Sequence, residues 1–195
     1  GNVMSETILV TGASAGFGQA ICRRLVADGY RVIGSARRID KLQALQEELG
    51  EDFYPLQMDV TDLSQVDHAL ASLPKDWEKV DVLVNNAGLA LGLAPAYEAE
   101  VADWLTMIQT NIVGLTYLTR KILPQMVERN DGYIINLGST AGTVPYPGAN
   151  VYGASKAFVK QFSLNLRADL AGKKIRVSNI EPGLCEGTEF SSVRF

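Results

Sequence analysis

The stretch that most constrains the fold is an apolar run followed by closely spaced glycines. Residues 6–10 are mostly apolar, and the sequence TGASAGFG follows at residues 11–18. A helical pattern then continues to Gly29, a residue type that often ends a helix in the left-handed conformation. Strand, glycine-rich turn and helix in this order form the context in which glycine spacing indicates a nucleotide-binding site.

Each glycine of this turn has its own predicted role. Gly12 permits the tight turn, Gly16 lets the backbone approach a phosphate, and Gly18 lets the helix pack closely on the strand. The N–H groups at the start of the helix, together with its dipole, attract a pyrophosphate. The alternative is a plain strand-to-helix turn, but three glycines in this frame favour a bound dinucleotide.

The rest of the chain repeats the alternation of strand and helix. Further strands are predicted over residues 30–35, 53–58, 80–84, 133–137 and 175–180, and further helices over 40–49, 63–73, 101–129 and 150–170. Six strands alternating with five helical patterns predict an α/β fold, a Rossmann-like, doubly wound parallel sheet. Gly1, Asn2 and Val3 precede Met4 and are interpreted as a cloning remnant, so one domain is predicted over residues 4–195.

Composition and charge exclude several classes of function. The net charge is −4 and the pI is about 5.1, which gives no basic footprint for nucleic acid or for an anionic membrane. No apolar run is long enough to span a bilayer. The single histidine, His68, argues against histidine-based triads and metal sites and is predicted to be an exposed helix residue. Cys22 and Cys185 match no metal or redox spacing, which indicates structural thiols in a reducing cytoplasm.

The end of the second strand indicates which dinucleotide is bound. An NAD site places an acidic residue there, where it accepts a hydrogen bond from the ribose 2′-hydroxyl. This chain has Arg37 and Arg38 instead, and guanidinium groups bind a 2′-phosphate in bidentate fashion. The alternative is a pair of solvated charges at the start of a helix. We therefore predict NADP(H) as the cofactor.

A second set of residues indicates proton chemistry. Tyr152 and Lys156 are four residues apart in a predicted helix and share one face. A nearby ammonium favours the phenolate form of a tyrosine and so suits it to general acid–base catalysis. Ser139 follows a buried strand, where its hydroxyl can donate a hydrogen bond to a substrate oxygen. Without further evidence, the tyrosine and the lysine are also compatible with an ordinary pair of side chains on an amphipathic helix that has no catalytic role.

Two asparagines have more than one interpretation. Asn86 follows the fourth strand, where a side-chain amide binds a cofactor or ties neighbouring strands together. Asn111 lies inside the long helical region, where its amide competes for backbone hydrogen bonds and indicates a kink or a bound water. The residues alone leave a structural role open for both, beside a cofactor contact for Asn86 and a catalytic role for Asn111.

Together these residues resemble the short-chain dehydrogenase/reductase family. The resemblance rests on TGASAGFG at 11–18, Asp59-Val60, NNAG at 85–88, Asn111, Ser139, YGASK at 152–156 and Pro182-Gly183. It implies that Tyr152 exchanges the proton, Lys156 assists it and holds the nicotinamide ribose, Ser139 polarises the carbonyl and Asn111 positions a water. It also implies cofactor contacts from Gly12, Ser14, Gly16, Phe17, Gly18, Arg37, Arg38, Asp59, Val60, Asn86, Tyr152, Lys156, Pro182, Gly183 and Thr188, with Asp59 near the adenine and Asn86 near the nicotinamide ribose.

A narrower resemblance concerns the substrate. The stretches NNAGLALG at 85–92 and PGLCEGTEFSSVRF at 182–195 are similar to the bacterial NADP-dependent 3-hydroxy acid dehydrogenases. That group oxidises serine and allo-threonine and reduces malonic semialdehyde, which implies a small-molecule substrate with a carboxylate. Arg194 is the basic residue that can pair with this carboxylate, or else a surface charge or part of a lid. Ser139 and Tyr152 complete the predicted substrate contacts.

The family also sets expectations about assembly and about competing functions. It implies a homotetramer and places a further helix and a seventh strand beyond Phe195. A 3-oxoacyl-thioester reductase is the enzymatic alternative, although no basic patch for an acidic carrier is evident. A non-catalytic NADPH-binding regulator is the other alternative, and the presence of Ser139, Tyr152 and Lys156 counts against it.

Overall fold

The strands are mostly apolar because helices cover both faces of the sheet. In the computed structural model, which describes residues 6–181, all five residues of the first strand are buried. The strands are β1 (Thr7–Thr11), β2 (Arg31–Ala36), β3 (Phe53–Gln57), β4 (Val82–Asn85), β5 (Gly132–Leu137) and β6 (Ile175–Ile180). They form one parallel sheet in the order β3-β2-β1-β4-β5-β6. This confirms the predicted Rossmann-like, doubly wound fold.

The helices lie on the two faces and alternate with the strands. They are α1 (Gly16–Ala27), α2 (Ile39–Leu49), α3 (Leu63–Ala71), α4 (Val101–Ile108), α5 (Leu115–Arg129) and α6 (Asn150–Asp169), and a π-helical segment (Gln109–Gly114) joins α4 to α5. The chain crosses the sheet between β3 and β4, so the strand order reverses at the β1–β4 boundary. Sheets of this kind bind ligands beyond the carboxyl ends of the strands at such a boundary.

Alternating side chains of the strands build a core on each face. Ile8 and Val10 pack with residues of α1 and α2, whereas Leu9 between them packs with residues of α3, α5 and α6. Cys22 of α1 is fully buried in the first of these cores, and burial raises the pKa of its thiol to about 12. This burial agrees with the predicted structural role of Cys22, while Cys185 lies outside the described residues.

The element boundaries lie within two residues of the predicted ones, and two differences have a cause in the structure. The fourth strand begins at Val82 instead of residue 80 because side chains of α5 form hydrogen bonds with the backbone groups of Val80. Gln125 accepts from its N–H at 2.9 Å and Arg129 donates to its carbonyl at 2.8 Å. The long helix predicted over 101–129 is present, but it is interrupted by the π-helical segment, in agreement with the predicted irregularity at Asn111.

Two further observations concern the described residues as a whole. No helix within residues 6–181 combines the length and the apolar character needed to cross a bilayer. In the same part of the chain, no group of three or more His, Cys, Asp or Glu side chains is arranged to hold a metal ion. His68 is exposed on α3, as predicted.

Candidate active site

A cleft of about 480 Å³ opens at the carboxyl ends of β1, β2, β3 and β4. The predicted cofactor residues on its wall are Gly12, Ser14, Phe17, Gly18, Arg37, Asp59, Val60 and Asn86. Gly16, Arg38, Tyr152 and Lys156 are not part of this wall. The topology thus gathers motifs spread over the first ninety residues into one concave surface.

The glycine-rich turn has the geometry that the three predicted roles require. Gly12 has φ +65°, in the region that favours glycine, and a Cβ on Gly18 would overlap the carbonyl oxygen of Gly12. Gly16 has φ +55°, and a Cβ built on it meets no atom within 4 Å, so this backbone faces open space. Ala15 at the N-cap gives α1 no side-chain cap. A helix start that no side chain caps is suited to an anion.

The arginines at the end of β2 are exposed, and Arg37 borders the cleft. Gln57 at the end of β3 donates a hydrogen bond of 3.1 Å to the backbone carbonyl of Arg37, which fixes the turn. Arg38 is the N-cap residue of α2. Among residues 6–181 neither guanidinium forms an ion pair, so both charges remain available to a ligand.

Asp59 organises the turn after β3. Its Oδ1 accepts from the backbone N–H of Thr61 at 2.9 Å and from the hydroxyl of Thr61 at 2.7 Å. Gln65 in turn accepts from the backbone N–H of Asp59 at 3.2 Å. These bonds hold Asp59 and Val60 at the rim of the cleft, where the adenine contact is predicted.

The asparagines at the end of β4 tie strands together. Asn86 donates to the carbonyls of Thr11 and Gly12 at 3.1 and 3.2 Å, and it also borders the cleft. Buried Asn85 donates to Asn136 of β5 at 2.8 Å and to Thr119 of α5 at 3.1 Å. The asparagines therefore tie neighbouring strands together, one of the two roles that the sequence left open. The cofactor contact of Asn86 stays a prediction.

Helix α6 presents Tyr152 and Lys156 on one face, as the four-residue spacing predicts. The Nζ atom of Lys156 lies 5.9 Å from the centroid of the Tyr152 ring and donates to the carbonyl of Leu137, the last residue of β5, at 3.2 Å. A Cβ on Gly88 would lie 3.4 Å from this Nζ. Since Gly88 also borders the cleft, the ammonium lies at the end of the cleft.

Ser139 is two residues beyond β5 and begins a tight turn. Its Oγ accepts from the backbone N–H of Ala141 at 3.1 Å. Helix α6 packs directly on this turn, because a Cβ on Gly153 would lie 2.8 Å from the carbonyl oxygen of Ala141. The glycine of the YGASK motif thus brings the helix that carries Tyr152 against the turn that carries Ser139.

Burial lowers the pKa of the Lys156 ammonium from its ordinary value of 10.5. Between the lowered pKa and 10.5 the unfolded chain holds a proton that the folded chain has lost, so stability rises with pH in this window. We expect the free energy of unfolding of the wild type to rise relative to that of Lys156→Met as the pH approaches 10.5. Urea unfolding at several pH values measures this. Lys160→Met, at an exposed lysine one turn further along α6, controls for loss of charge, and a constant difference for Lys156→Met would contradict the expectation.

Asn111 lies in the π-helical segment and is almost fully buried. Its amide accepts from the backbone N–H of Leu89 at 2.8 Å and donates to the carbonyl of Leu89 at 2.9 Å. It also donates to the hydroxyl of Ser155 at 3.1 Å. The amide therefore joins the loop after β4 to α6, and the positioning of a water by Asn111 stays a prediction.

Sequence reasoning missed several residues of the cleft wall, among them Thr106 and Thr110. They are four residues apart, Thr106 in α4 and Thr110 in the π-helical segment, so they share a face. Their spacing was the available signal, but no motif surrounds them. Four predicted residues, Pro182, Gly183, Thr188 and Arg194, lie outside the described residues.

A strand–glycine turn–helix cleft beside a Tyr-x-x-x-Lys helix and a serine-bearing turn defines a class of dinucleotide-dependent oxidoreductase. Residues 6–194 match the family model described as short chain dehydrogenase, and the chain belongs to this family.

Individual relatives show strong similarity. The chain is 62% identical over 188 residues to an NADP-dependent 3-hydroxy acid dehydrogenase of Salmonella typhi, covering 96% of this chain and 76% of the relative. It is 53% identical over 191 residues to the serine 3-dehydrogenase of Agrobacterium fabrum, covering 98% of this chain and 76% of the relative. A structure described as the closed form of serine dehydrogenase complexed with NADP+ matches with a TM-score of 0.89 and 58% identity, covering 90% of this chain and 71% of that one.

Proposed function

We propose that the protein is an NADP(H)-dependent oxidoreductase that interconverts a short 3-hydroxy acid and its carbonyl form. The observation that carries the proposal is the position of Gly88. It borders the cofactor cleft and at the same time lies against the ammonium of Lys156. The cleft for a dinucleotide and the helix for proton transfer therefore meet at one point.

The residues of the cleft fit NADP(H). The uncapped start of α1 and the open space at Gly16 suit the pyrophosphate, and Arg37 and Arg38 suit the 2′-phosphate. Asp59 and Asn86 both border the cleft, and we assign them to the adenine and to the nicotinamide ribose, respectively. When bound, the cofactor gives or takes the hydride; the protein orients it and stabilises charge on the substrate oxygen.

Tyr152 is the residue that we assign to proton transfer with the substrate oxygen. The phenol releases its proton to a carbonyl being reduced and regains one in the reverse direction, and the ammonium of Lys156 lies 5.9 Å from the centroid of its ring. The Ser139 hydroxyl donates a hydrogen bond to the same oxygen and stabilises its negative charge. Asn111 keeps the loop at Leu89 fixed against α6, and we assign to it the positioning of a relay water.

The substrate assignment is supported by the relatives. The names of those that share 53% and 62% identity with this chain specify serine 3-dehydrogenase and 3-hydroxy acid dehydrogenase. Serine, allo-threonine and 3-hydroxypropionate are therefore the alcohols that we propose, with malonic semialdehyde as a carbonyl substrate. A carboxylate close to the reacting carbon requires a cation, and we propose Arg194 for this role.

Initial rates test the proposal. We expect serine, 3-hydroxypropionate and malonic semialdehyde to be turned over with NADP(H), and to be turned over much more slowly with NAD(H). Equal rates with NAD(H) would overturn the assignment of the 2′-phosphate to Arg37 and Arg38. If none of the three acids is turned over by a protein that still binds NADPH, the substrate assignment is overturned.

We also propose a homotetramer in the cytoplasm. Exposed apolar side chains on the long helices support subunit contacts: Val101, Leu105, Phe158 and Leu164. A reducing compartment suits the unpaired thiol of Cys22. Light scattering of the intact protein measures the assembly directly.

A further inference from the structure

The segment between β4 and α4 connects the cofactor cleft to the first turn of α6. We call residues 86–98 the β4 loop; it contains no helix or strand. Its first four residues border the cofactor cleft, and residues 90–98 lie beyond the cleft wall. A loop without its own ladder of hydrogen bonds needs partners elsewhere to hold one conformation.

The first two partners come from the helix that follows the loop. Asn111 holds both backbone groups of Leu89. Further on, the N–H of Leu91 donates to the thioether of Met107 at 3.4 Å, a weak bond for a buried sulfur. These contacts fix the half of the loop nearest to the cofactor cleft.

The other half of the loop is held by Asn150. The side-chain amide of Asn150 donates to the carbonyl of Ala94 at 3.0 Å. Its Oδ1 accepts from the indole N–H of Trp104 at 3.0 Å and from the backbone N–H of Val151 at 2.8 Å. One side chain therefore joins the β4 loop, α4 and the first turn of α6, and three of its four hydrogen-bonding positions are used.

The backbone of the loop also touches the segment that leads into α6. Gly148 has φ +84°, and a Cβ on it would overlap the carbonyl oxygen of Leu93. The loop thus lies directly on the chain four residues before Tyr152, and Asn150 lies two residues before Tyr152. Residues 93 and 94 therefore contact the segment that leads to Tyr152, and residues 90–98 do not border the cofactor cleft.

We propose that Asn150 is a positioning residue that, with Trp104, holds residues 90–98 of the β4 loop as one wall of the substrate site beside Tyr152. The inference rests on the proposed function, because it requires that the substrate oxygen reaches Ser139 and Tyr152. It adds a specificity role: a wall fixed at Ala94 limits the size of the substrate that fits next to the phenol. Asn150 acts through the loop and does not touch the reacting atoms.

The test compares Asn150→Ala with the wild type in two kinds of measurement. Hydrogen exchange of the intact protein is expected to show faster exchange of the backbone amides of residues 90–98. Initial rates are expected to show a KM for serine raised by roughly tenfold, the size of effect expected for the loss of about one net hydrogen bond, with a smaller fall in kcat. The Kd of NADPH is expected to stay unchanged. Trp104→Phe, which keeps an aromatic ring and removes the N–H donor together with the five-membered ring, is expected to change both measurements in the same direction by less.

Asn165→Ala is the matched control. Asn165 is an exposed asparagine of the same helix, and its Oδ1 accepts from Gln161. Asn165→Ala therefore shows what replacing an asparagine by alanine does to α6 itself. Unchanged hydrogen exchange of the loop in Asn150→Ala would overturn the proposal, and so would an equal weakening of NADPH binding. Wild-type protein that turns over none of the three acids would refute the proposed function, whereas hydrogen exchange would still decide whether Asn150 holds the loop.

Discussion

Replacing Tyr152 by Phe is expected to lower kcat about a thousandfold or more, within the range of loss for removing a general acid–base group. The change deletes one oxygen and keeps the ring near Lys156, whose Nζ lies 5.9 Å from the ring centroid. Because the phenol is outside the wall of the cofactor cleft, NADPH binding is expected to persist. Single-turnover rates and fluorescence titration with NADPH measure the two quantities separately.

Tyr117→Phe provides the matched control for this prediction. In the wild type the hydroxyl of Tyr117 donates to Asp67 on the surface, and Tyr117 does not border the cleft. It is expected to leave both kcat and the Kd of NADPH unchanged. A Tyr152→Phe protein that retained wild-type kcat would remove Tyr152 from the reaction, and one that lost NADPH binding would show that the phenol supports the cofactor instead.

Replacing both Arg37 and Arg38 by Ala is expected to weaken NADPH binding by about a hundredfold or more and to leave NADH binding nearly unchanged. Each charge-assisted hydrogen bond to a phosphate contributes about 1.5–3 kcal/mol, and two arginines directly follow β2. Within residues 6–181 neither forms an ion pair that would compete with a phosphate. Titrations of the wild type and the variant with both cofactors give the change in Kd for NADPH and for NADH.

Arg24→Ala controls for the loss of an exposed arginine. Arg24 pairs with Asp28 at 3.0 Å at the end of α1 and does not border the cleft. It is expected to bind NADPH as the wild type does. If the double variant lost affinity for NADPH and NADH equally, the arginines would hold the turn after β2 and not the 2′-phosphate.

The fold was predictable because each strand and helix carries its own signal. Apolar runs that end in Gly, Asn or Asp marked the carboxyl ends of the strands, and the sheet rule then placed those ends along one edge. Gly18 is an example: the sequence predicted close packing, and the structure leaves no room there for a Cβ. The pairing of Tyr152 with Lys156 followed in the same way from helical spacing.

The remaining parts of the site depend on contacts between segments far apart in sequence. Asn111 and Leu89 are 22 residues apart, and Asn150 and Ala94 are 56 apart. No local pattern specifies either pair, because each amide is an ordinary polar residue until the fold brings its partner close. The start of β4 was predicted two residues too early for the same reason. Gln125 and Arg129 of α5 form hydrogen bonds with the backbone of Val80, and they are distant from it in sequence.

The π-helical segment Gln109–Gly114 also determines which changes of chain length the molecule tolerates. A π turn closes its hydrogen bond over one residue more than an α turn. Deleting one residue here would therefore return the segment to regular α spacing and leave α4 and α5 aligned with each other. The residues inside the segment would shift, and Asn111, which bonds to Leu89 and Ser155 from the π turn, is the one whose contacts would be lost. A shortening by one residue is therefore expected to leave the sheet and the flanking helices in register and to release the loop after β4 from α6.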